Sequence, residues 1–191
     1  HWSVAARGEA DGNAFTLFVC HEYGQIISGR DWASLICERF PDDGSAIERG
    51  NAYHRVMELV DFNKPLKTEV ISQIEAFTSN GLMKQEYAEM VDADKIVAIL
   101  KDDYFRMDGA RYFRELPFEV IVPAELAMPG SGDEEVLVQG VIDLIAFTED
   151  GIYIADYKVS GRGCDALRQA YARQLELYAF AAERITGKRV L

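Results

Sequence analysis

Residues 139–158, with the sequence QGVIDLIAFTEDGIYIADYK, constrain the fold more than any other stretch of the chain. Two apolar runs flank residues 149–151, and Asp-Gly between β-rich runs is a strong signal for a hairpin. Because a charge inside a buried strand is costly unless it is paired or bound to a metal, the charges that interrupt these runs mark a candidate site. They are Asp143, Asp156 and Lys158.

The register of this hairpin predicts that the three charges converge. If Asp150 and Gly151 form a two-residue loop, Asp143 lies opposite Lys158, and opposite residues of an antiparallel pair share a face. Asp156 is two residues from Lys158 and therefore shares that face. A three-residue loop would shift the pairing by one residue and move Asp143 to the other face of the sheet.

Two carboxylates beside an amine suit metal-dependent hydrolysis. Carboxylate oxygens hold hard cations such as Mg²⁺, and such a cation polarises a phosphate and lowers the pKa of a bound water. The amine of Lys158 could orient that water or stabilise developing negative charge. The alternative that these residues leave open is a structural Asp–Lys pair inside a strand.

Periodicity predicts the elements around the hairpin. Apolar spacing indicates helices over residues 45–61 and 166–185, with shorter helices between residues 64 and 109. Residues 110–122 alternate like a strand, and Pro117 within them favours an edge position or a bulge. Residues 15–20 and 25–28 could form a short hairpin. Gly50 lies inside the first helix, which usually indicates close packing.

Asp143 followed by Asp156-Tyr157-Lys158 resembles the D…(D/E)-x-K signature of the restriction-endonuclease-like nucleases. GVIDLIAF followed by IADYKVS is similar to the RecB-type branch of that family. Three further motifs of this branch occur in order. Residues 48–58 with Asp61-Phe62 resemble the first nuclease motif of AddA, a helicase–nuclease subunit; residues 114–119 resemble its R-E-x-P-F strand; and residues 174–178 match its Q-x-x-x-Y motif.

This resemblance implies a fold and a set of site residues. The fold is an α/β restriction-endonuclease-like core: a mixed central sheet flanked by helices, with a helical insertion between the first motif and the sheet. The implied metal ligands are His54, Asp143, Asp156 and the backbone carbonyl of Tyr157, although a lone helical histidine is more often structural. Lys158 would position or activate the attacking water. Glu115 would add an acid, and Gln174 and Tyr178 would support the site and approach DNA.

The resemblance also implies cofactors and products. Mg²⁺ is the expected ion, and Mn²⁺ suits the same oxygen-rich site. Cys20, Cys37 and Cys164 form no CxxC pair and no zinc pattern, and the helix of residues 166–185 is followed by no cysteine cluster, so we expect no iron–sulfur cluster. Hydrolysis of DNA would leave a 5′-phosphate and a 3′-hydroxyl.

Composition limits the ways in which such a chain meets DNA. The 191 residues carry a formal net charge of −12, and the pI is about 4.7. This balance argues against a free-standing protein that binds nucleic acid by charge alone. It does not exclude a nuclease, because clustered active-site acids add negative charge and a partner domain can deliver the DNA.

These features predict the setting of the domain. Residues 1–44 are expected to be a lead segment or linker of unknown role, and residues 45–191 the nuclease domain, with its C-terminal end cut short. We expect a cytoplasmic protein with no membrane segment, and the resemblance implies helicase domains in the same parent chain and an AddB-like partner subunit. The alternatives are a stand-alone or Cas4-like exonuclease of the same fold, and a non-catalytic module that docks DNA or a partner.

Overall fold

The computed structural model describes residues 3–4, 14–21, 46–132, 134–160 and 164–191. The strands are β1 (Ser3–Val4), β2 (Ala14–His21), β3 (Arg111–Pro123), β4 (Glu135–Phe147) and β5 (Ile152–Ser160). The helices are α1 (Ala46–Leu59), α2 (Lys67–Ser79), α3 (Gln85–Met90), α4 (Ala93–Leu100), the 3₁₀ helix Asp103–Arg106, α5 (Ala124–Ala127) and α6 (Cys164–Thr186).

The strands form one sheet in the order β1-β2-β5-β4-β3. The named strands pair antiparallel, and Val190 adds a parallel bridge to Ile152. Helices cover the sheet, and α2 to α4 lie between α1 and β3 along the chain, so the predicted α/β core with a helical insertion is confirmed. In the described residues, no helix combines the length and apolar character needed to cross a membrane.

The predicted lead segment contributes to this sheet. Residues 14–21 form β2, which pairs with β5 over Ala14↔Ser160 to Val19↔Ala155. The predicted partner strand at residues 25–28 lies outside the described residues. The division of the chain at residue 44 stays a prediction.

The central hairpin has a longer loop than predicted. Phe147 pairs with Ile152, so the loop is the four residues 148–151, closed by a 2.9 Å hydrogen bond from the Thr148 N–H to the Gly151 carbonyl. The two-residue loop is therefore wrong, and Asp143 does not lie opposite Lys158. The observed register, extended by one pair beyond Leu144↔Ala155, points Asp143 towards Asp156 instead. The shift is of two residues, which preserves the face on which each side chain lies.

Pro117 lies in an edge strand, as predicted. β3 is the last strand in the sheet order and pairs only with β4 among the described strands. An edge strand tolerates proline because one row of its backbone groups has no neighbouring strand to bond.

Two hydrophobic cores lie on opposite faces of the sheet. The first packs α1, α2 and α4 on β4 and β5, with Tyr53, Met57 and Leu144 among its buried residues. The second packs α6 on β3, β4 and β5, with Phe118 and Leu175 among its buried residues. We call these clusters the α1 core and the α6 core. They hold α1, which carries the first motif, and α6, which carries the Q-x-x-x-Y motif, on opposite sides of the hairpin.

In the middle of the sheet, the regular alternation of side chains between the two faces is interrupted in both β3 and β4. Tyr112 packs against the α1 core and Phe118 in the α6 core, although an even spacing should place both on one face. Ile142 and Leu144 are divided between the two cores in the same way. The reversal coincides with Glu115, whose φ is 47°, a left-handed conformation that is uncommon for residues other than glycine.

Gly50 does not mark close packing. Among the residues that the structure describes, a Cβ added at this position of α1 would meet nothing within 4 Å, so that expectation is wrong. Gly140 in β4 is the opposite case, because its added Cβ would lie 2.7 Å from the Phe118 ring in the α6 core.

We expect these two glycines to respond in opposite directions to the same substitution. Gly50→Ala should raise the free energy of unfolding by about 1 kcal/mol, because alanine is the better helix former and has open space here. Gly140→Ala should lower it by about 1–3 kcal/mol, because the buried Phe118 ring must move. Urea unfolding followed by circular dichroism measures both changes. A loss of stability in Gly50→Ala would show that the open space beside α1 is absent in solution.

Candidate active site

The His54 ring lies at the centre of a cluster drawn from four elements. It is carried by α1, which packs on β5 through the α1 core. Its Nε2 is 2.9 Å from the Tyr157 carbonyl oxygen. Its Nδ1 lies 3.6 Å from Asp143 Oδ2 and 3.8 Å from Glu115 Oε1. The histidine of the first motif therefore meets acids from β3 and β4, and the structure brings these predicted residues together.

The backbone of Tyr157 joins the two sides of this cluster. Its N–H donates a 2.7 Å hydrogen bond to Asp143 Oδ2, and its carbonyl oxygen faces His54. The regular pairing of β4 with β5 ends at Leu144↔Ala155, just before Asp143. Where the two strands part, the Tyr157 N–H bonds to the Asp143 carboxylate instead of to a backbone carbonyl of β4. This bond holds the Asp143 side chain in the site.

Asp156 and Lys158 form a buried ion pair beside the cluster. The Lys158 ammonium lies 2.9 Å from Asp156 Oδ1 and 2.8 Å from Oδ2. The Asp156 side chain is only 1% exposed, and its Oδ2 accepts no well-aligned hydrogen bond from the described residues despite the short ion-pair contact. A buried carboxylate oxygen in this state retains the capacity to bind a cation or a donor.

Tyr171 also contacts this pair, and sequence reasoning did not single it out. The Lys158 ammonium lies 4.9 Å from the centroid of the Tyr171 ring, within the range of a cation–π interaction. Tyr171 lies three residues before Gln174 on α6, so it shares a helix face with the Q-x-x-x-Y motif. That spacing was the signal that could have found it.

The remaining motif residues line the α6 side of the site. Gln174 Nε2 donates a 2.6 Å hydrogen bond to the Tyr178 hydroxyl, as their spacing of four residues predicts. The Tyr178 ring packs edge-on against Phe118 at 5.4 Å. Burial raises the pKa of Tyr178, and Asp156 adds to this effect while Lys158 opposes it. The charges of the Asp156–Lys158 pair therefore act on this hydroxyl.

The carboxylates are in an environment that disfavours their charge. Burial, and then the charge of Asp156, raise the pKa of Asp143 to about 6. Burial also raises the pKa of Asp156, although Lys158 opposes this. Burial alone would lower the pKa of Lys158, but Asp156 outweighs it and the pKa is raised. The site thus concentrates acids whose repulsion a bound cation would relieve.

His54 behaves in the way expected beside such acids. Burial alone would lower its pKa, but Glu115, Asp143 and the Tyr157 carbonyl together outweigh burial and raise it. Glu115 is itself the left-handed residue at which the side chains of β3 change faces. It lies directly across the β3–β4 ladder from Asp143, and its side chain approaches the imidazole. Strained backbone of this kind often occurs at functional sites, because the surrounding structure must hold it in place.

The donor set fits a divalent cation. One ligand atom each from His54, Glu115 and Asp143 lie within 4.8 Å of one another, and oxygen donors with one imidazole suit hard or borderline divalent ions. Asp156 is not one of these three residues, but its buried Oδ2 accepts no well-aligned hydrogen bond from the described residues. The Tyr157 carbonyl faces His54 Nε2. Glu115, which the resemblance implied as a further acid, is one of the three grouped residues, and ligation by those three, by Asp156 and by Tyr157 stays a prediction.

Comparison with known proteins gives a consistent result. The family model of the PD-(D/E)XK nuclease superfamily matches residues 31–190. A protein of Carboxydothermus hydrogenoformans, whose name describes it as a subunit of an ATP-dependent helicase/nuclease, is 36% identical over 157 residues, which cover 78% of this chain and 13% of the relative. Its namesake in Bacillus cereus (strain ATCC 10987) is 37% identical over 153 residues, which cover 72% of this chain and 12% of the relative.

The chain thus spans only 12–13% of the length of these relatives. The matched region nevertheless includes α1, the central hairpin and α6, which carry the clustered residues. The sheet, the order of the motifs and the match over residues 31–190 agree, and the chain belongs to the PD-(D/E)XK nuclease superfamily.

Proposed function

We propose that this chain is a metal-dependent deoxyribonuclease that hydrolyses phosphodiester bonds of DNA. The observation that carries the proposal is the meeting of His54, Glu115 and Asp143 beside the buried Asp156–Lys158 pair. A structural ion pair needs none of the other three groups. Acids held close enough to raise one another's pKa are costly to folding, which is expected at a site that binds a cation.

The ion we propose is Mg²⁺, with Mn²⁺ able to substitute. His54, Glu115, Asp143 and Asp156 would hold it, with the Tyr157 carbonyl as a further ligand. When bound, such an ion polarises the phosphate and lowers the pKa of a coordinated water. The three cysteines belong to no cluster motif, and the absence of an iron–sulfur cluster stays a prediction.

Lys158 is the residue that we propose to position the attacking water and to stabilise charge on the phosphate. Its ammonium is held by Asp156 on one side and by the Tyr171 ring on another, so its direction is restricted before substrate arrives. Attack of water on phosphorus in line with the 3′-oxygen breaks the P–O3′ bond, and that oxygen leaves with a proton. The products are a 5′-phosphate and a 3′-hydroxyl.

Gln174 and Tyr178 are proposed to act from α6. Their hydrogen bond orients the Tyr178 hydroxyl, which accepts from Gln174 and could donate its own proton to a phosphate oxygen. We regard them as positioning residues that support the site rather than as groups that exchange protons with the substrate.

The relatives support a proposal about the biological setting. Because their names describe ATP-dependent helicase/nuclease subunits and they are much longer than this chain, we propose that the chain acts with helicase domains of the same parent protein and with an AddB-like subunit. Its role would be exonucleolytic processing of double-strand breaks in the cytoplasm. The chain has a net charge of −12 and therefore repels DNA. A motor that feeds single strands into the site would overcome this repulsion.

Lys158→Ala should abolish metal-dependent cleavage of end-labelled single-stranded DNA, with a rate at least about 100-fold below that of the wild type. The reason is that the variant loses the group that orients water and meets developing charge. Assays with Mg²⁺, Mn²⁺ and EDTA, with circular dichroism as the folding check, measure this. Lys101→Ala, at an exposed lysine after α4, is the matched control and should cleave normally. Full activity in Lys158→Ala would remove this residue from the mechanism.

Asp143→Asn should stabilise the metal-free chain and remove its response to metal. The pKa of Asp143 is about 6 in the folded chain against 3.8 for the free group, so the folded state takes up a proton as pH falls through this window. This carboxylate therefore costs stability increasingly as pH rises from about 4 to about 6, and at pH 7.5 its full cost, up to about 3 kcal/mol, is present.

Thermal unfolding at pH 7.5 in EDTA and in Mn²⁺ tests that expectation. Mn²⁺ should raise the Tm of the wild type and leave that of Asp143→Asn nearly unchanged, while in EDTA the variant should have the higher Tm. Asp150→Asn in the hairpin loop is the control and should follow the wild type in both. An equal metal response in Asp143→Asn and the wild type would contradict ligation by Asp143.

A further inference from the structure

A cavity of about 750 Å³ opens beside the contact between α1 and β3. These two elements meet first at the candidate site, where His54 approaches Glu115 to 3.8 Å. One turn further along α1, the Glu58 carbonyl accepts a 2.7 Å hydrogen bond from Arg114 Nη1. The cavity begins there, about 6 Å further along the helix axis than His54. It therefore lies next to the site but outside the group of metal donors.

The walls of the cavity combine flat and charged side chains. They come from the loop after α1, from the 3₁₀ helix and its following loop, and from the start of β3. The volume lies within the roughly 300–1,000 Å³ of pockets that hold small ligands. The lining residues on which the inference depends are Asp61, Phe62, Arg106, Asp108, Tyr112 and Arg114.

Arg114 provides a fixed planar surface at this place. Its guanidinium carbon lies 3.8 Å from the centroid of the Phe62 ring, so one face of the guanidinium is stacked on an aromatic ring. The hydrogen bond to the Glu58 carbonyl sets its rotation. Phe62 is itself held edge-on by Phe105 and Tyr112, at 4.8 and 5.7 Å between ring centroids. A guanidinium fixed in this way offers further N–H donors and a surface for stacking.

The charges of the cavity favour a neutral ring over a free anion. Arg106 and Arg114 are balanced by Asp61 and Asp108, so these four side chains have no net attraction for a phosphate. Arginine donors suit the ring nitrogens and carbonyl oxygens of a base, and carboxylates suit its exocyclic amines. Stacking on aromatic and guanidinium surfaces is the common way in which proteins hold bases of single strands.

We propose that this cavity binds one nucleobase of the substrate strand, within a few nucleotides of the cleaved bond. The inference rests on the proposed nuclease function and adds to it a binding position for the strand. Because the chain is acidic, such a contact would supply affinity for DNA that does not depend on net charge. It would raise the affinity for the strand while leaving the chemical step to the metal site.

Single-position modified DNA tests this proposal. One series of short single-stranded oligonucleotides carries one abasic position each, and a second series carries one uncharged methylphosphonate linkage each. The kcat and KM of Mn²⁺-dependent cleavage are measured with the wild type, Arg106→Gln, Arg114→Gln and Ala110→Leu. The last variant reduces the cavity without removing a charge, which guards against misfolding of Arg114→Gln after loss of its bond to Glu58. Arg184→Gln, on the exposed end of α6 across the sheet, is the matched control.

The wild type and Arg184→Gln should show a KM raised about 5- to 100-fold by an abasic site at one position, with kcat nearly unchanged. The cavity variants should have a raised KM on unmodified DNA and no further penalty from that abasic site. A penalty confined to the methylphosphonate series would show that a phosphate occupies the cavity and overturn the proposal. Equal abasic penalties in the wild type and all cavity variants would overturn it as well. Absence of cleavage by the wild type would instead overturn the nuclease function itself.

Discussion

The close approach of Asp143 and Asp156 inside the fold is the constraint on which the rest of the structure depends. Two buried carboxylates repel each other and lose their hydration, and burial together with Asp156 raises the pKa of Asp143 to about 6. The surrounding elements supply the hydrogen bonds and the positive charge that compensate for the lost hydration. The Tyr157 N–H binds Asp143, Lys158 binds Asp156, and the His54 ring lies against the Asp143 side of the site.

The sheet is distorted in order to bring these groups together. β4 and β5 stop pairing after Leu144↔Ala155, and β3 and β4 exchange faces at Glu115 and Asp143. The distortion lets residues of β3 serve the α1 core at one end and the α6 core at the other. The left-handed backbone of Glu115 is a local cost, and the two cores supply the packing that retains it.

Two sides of the sheet contribute different parts of the proposed chemistry. The α1 side brings the imidazole and, one turn further, the cavity bounded by Arg114. The α6 side brings the Tyr171 ring to the lysine, together with the hydrogen-bonded pair Gln174 and Tyr178. The hairpin between them carries both acids and the lysine, so the proposed site exists only when both helices are packed on it.

The sequence by itself determined the elements and indicated Asp143, Asp156 and Lys158, because alternation, helical spacing and a charge inside an apolar run are local properties. The hairpin strands, α1, α6 and the edge position of Pro117 follow from them. The roles predicted for His54, Glu115, Gln174 and Tyr178 came only from the family resemblance. The tertiary structure alone decided the four-residue loop, the open space beside Gly50, the pairing of β2 with β5 and the contact of Tyr171 with Lys158. The space beside Gly50, the β2–β5 pairing and the Tyr171 contact depend on packing between residues far apart in the chain, and local patterns do not record distances of that kind. The loop length depends on the hydrogen bond between Thr148 and Gly151, which an Asp-Gly pair alone does not specify.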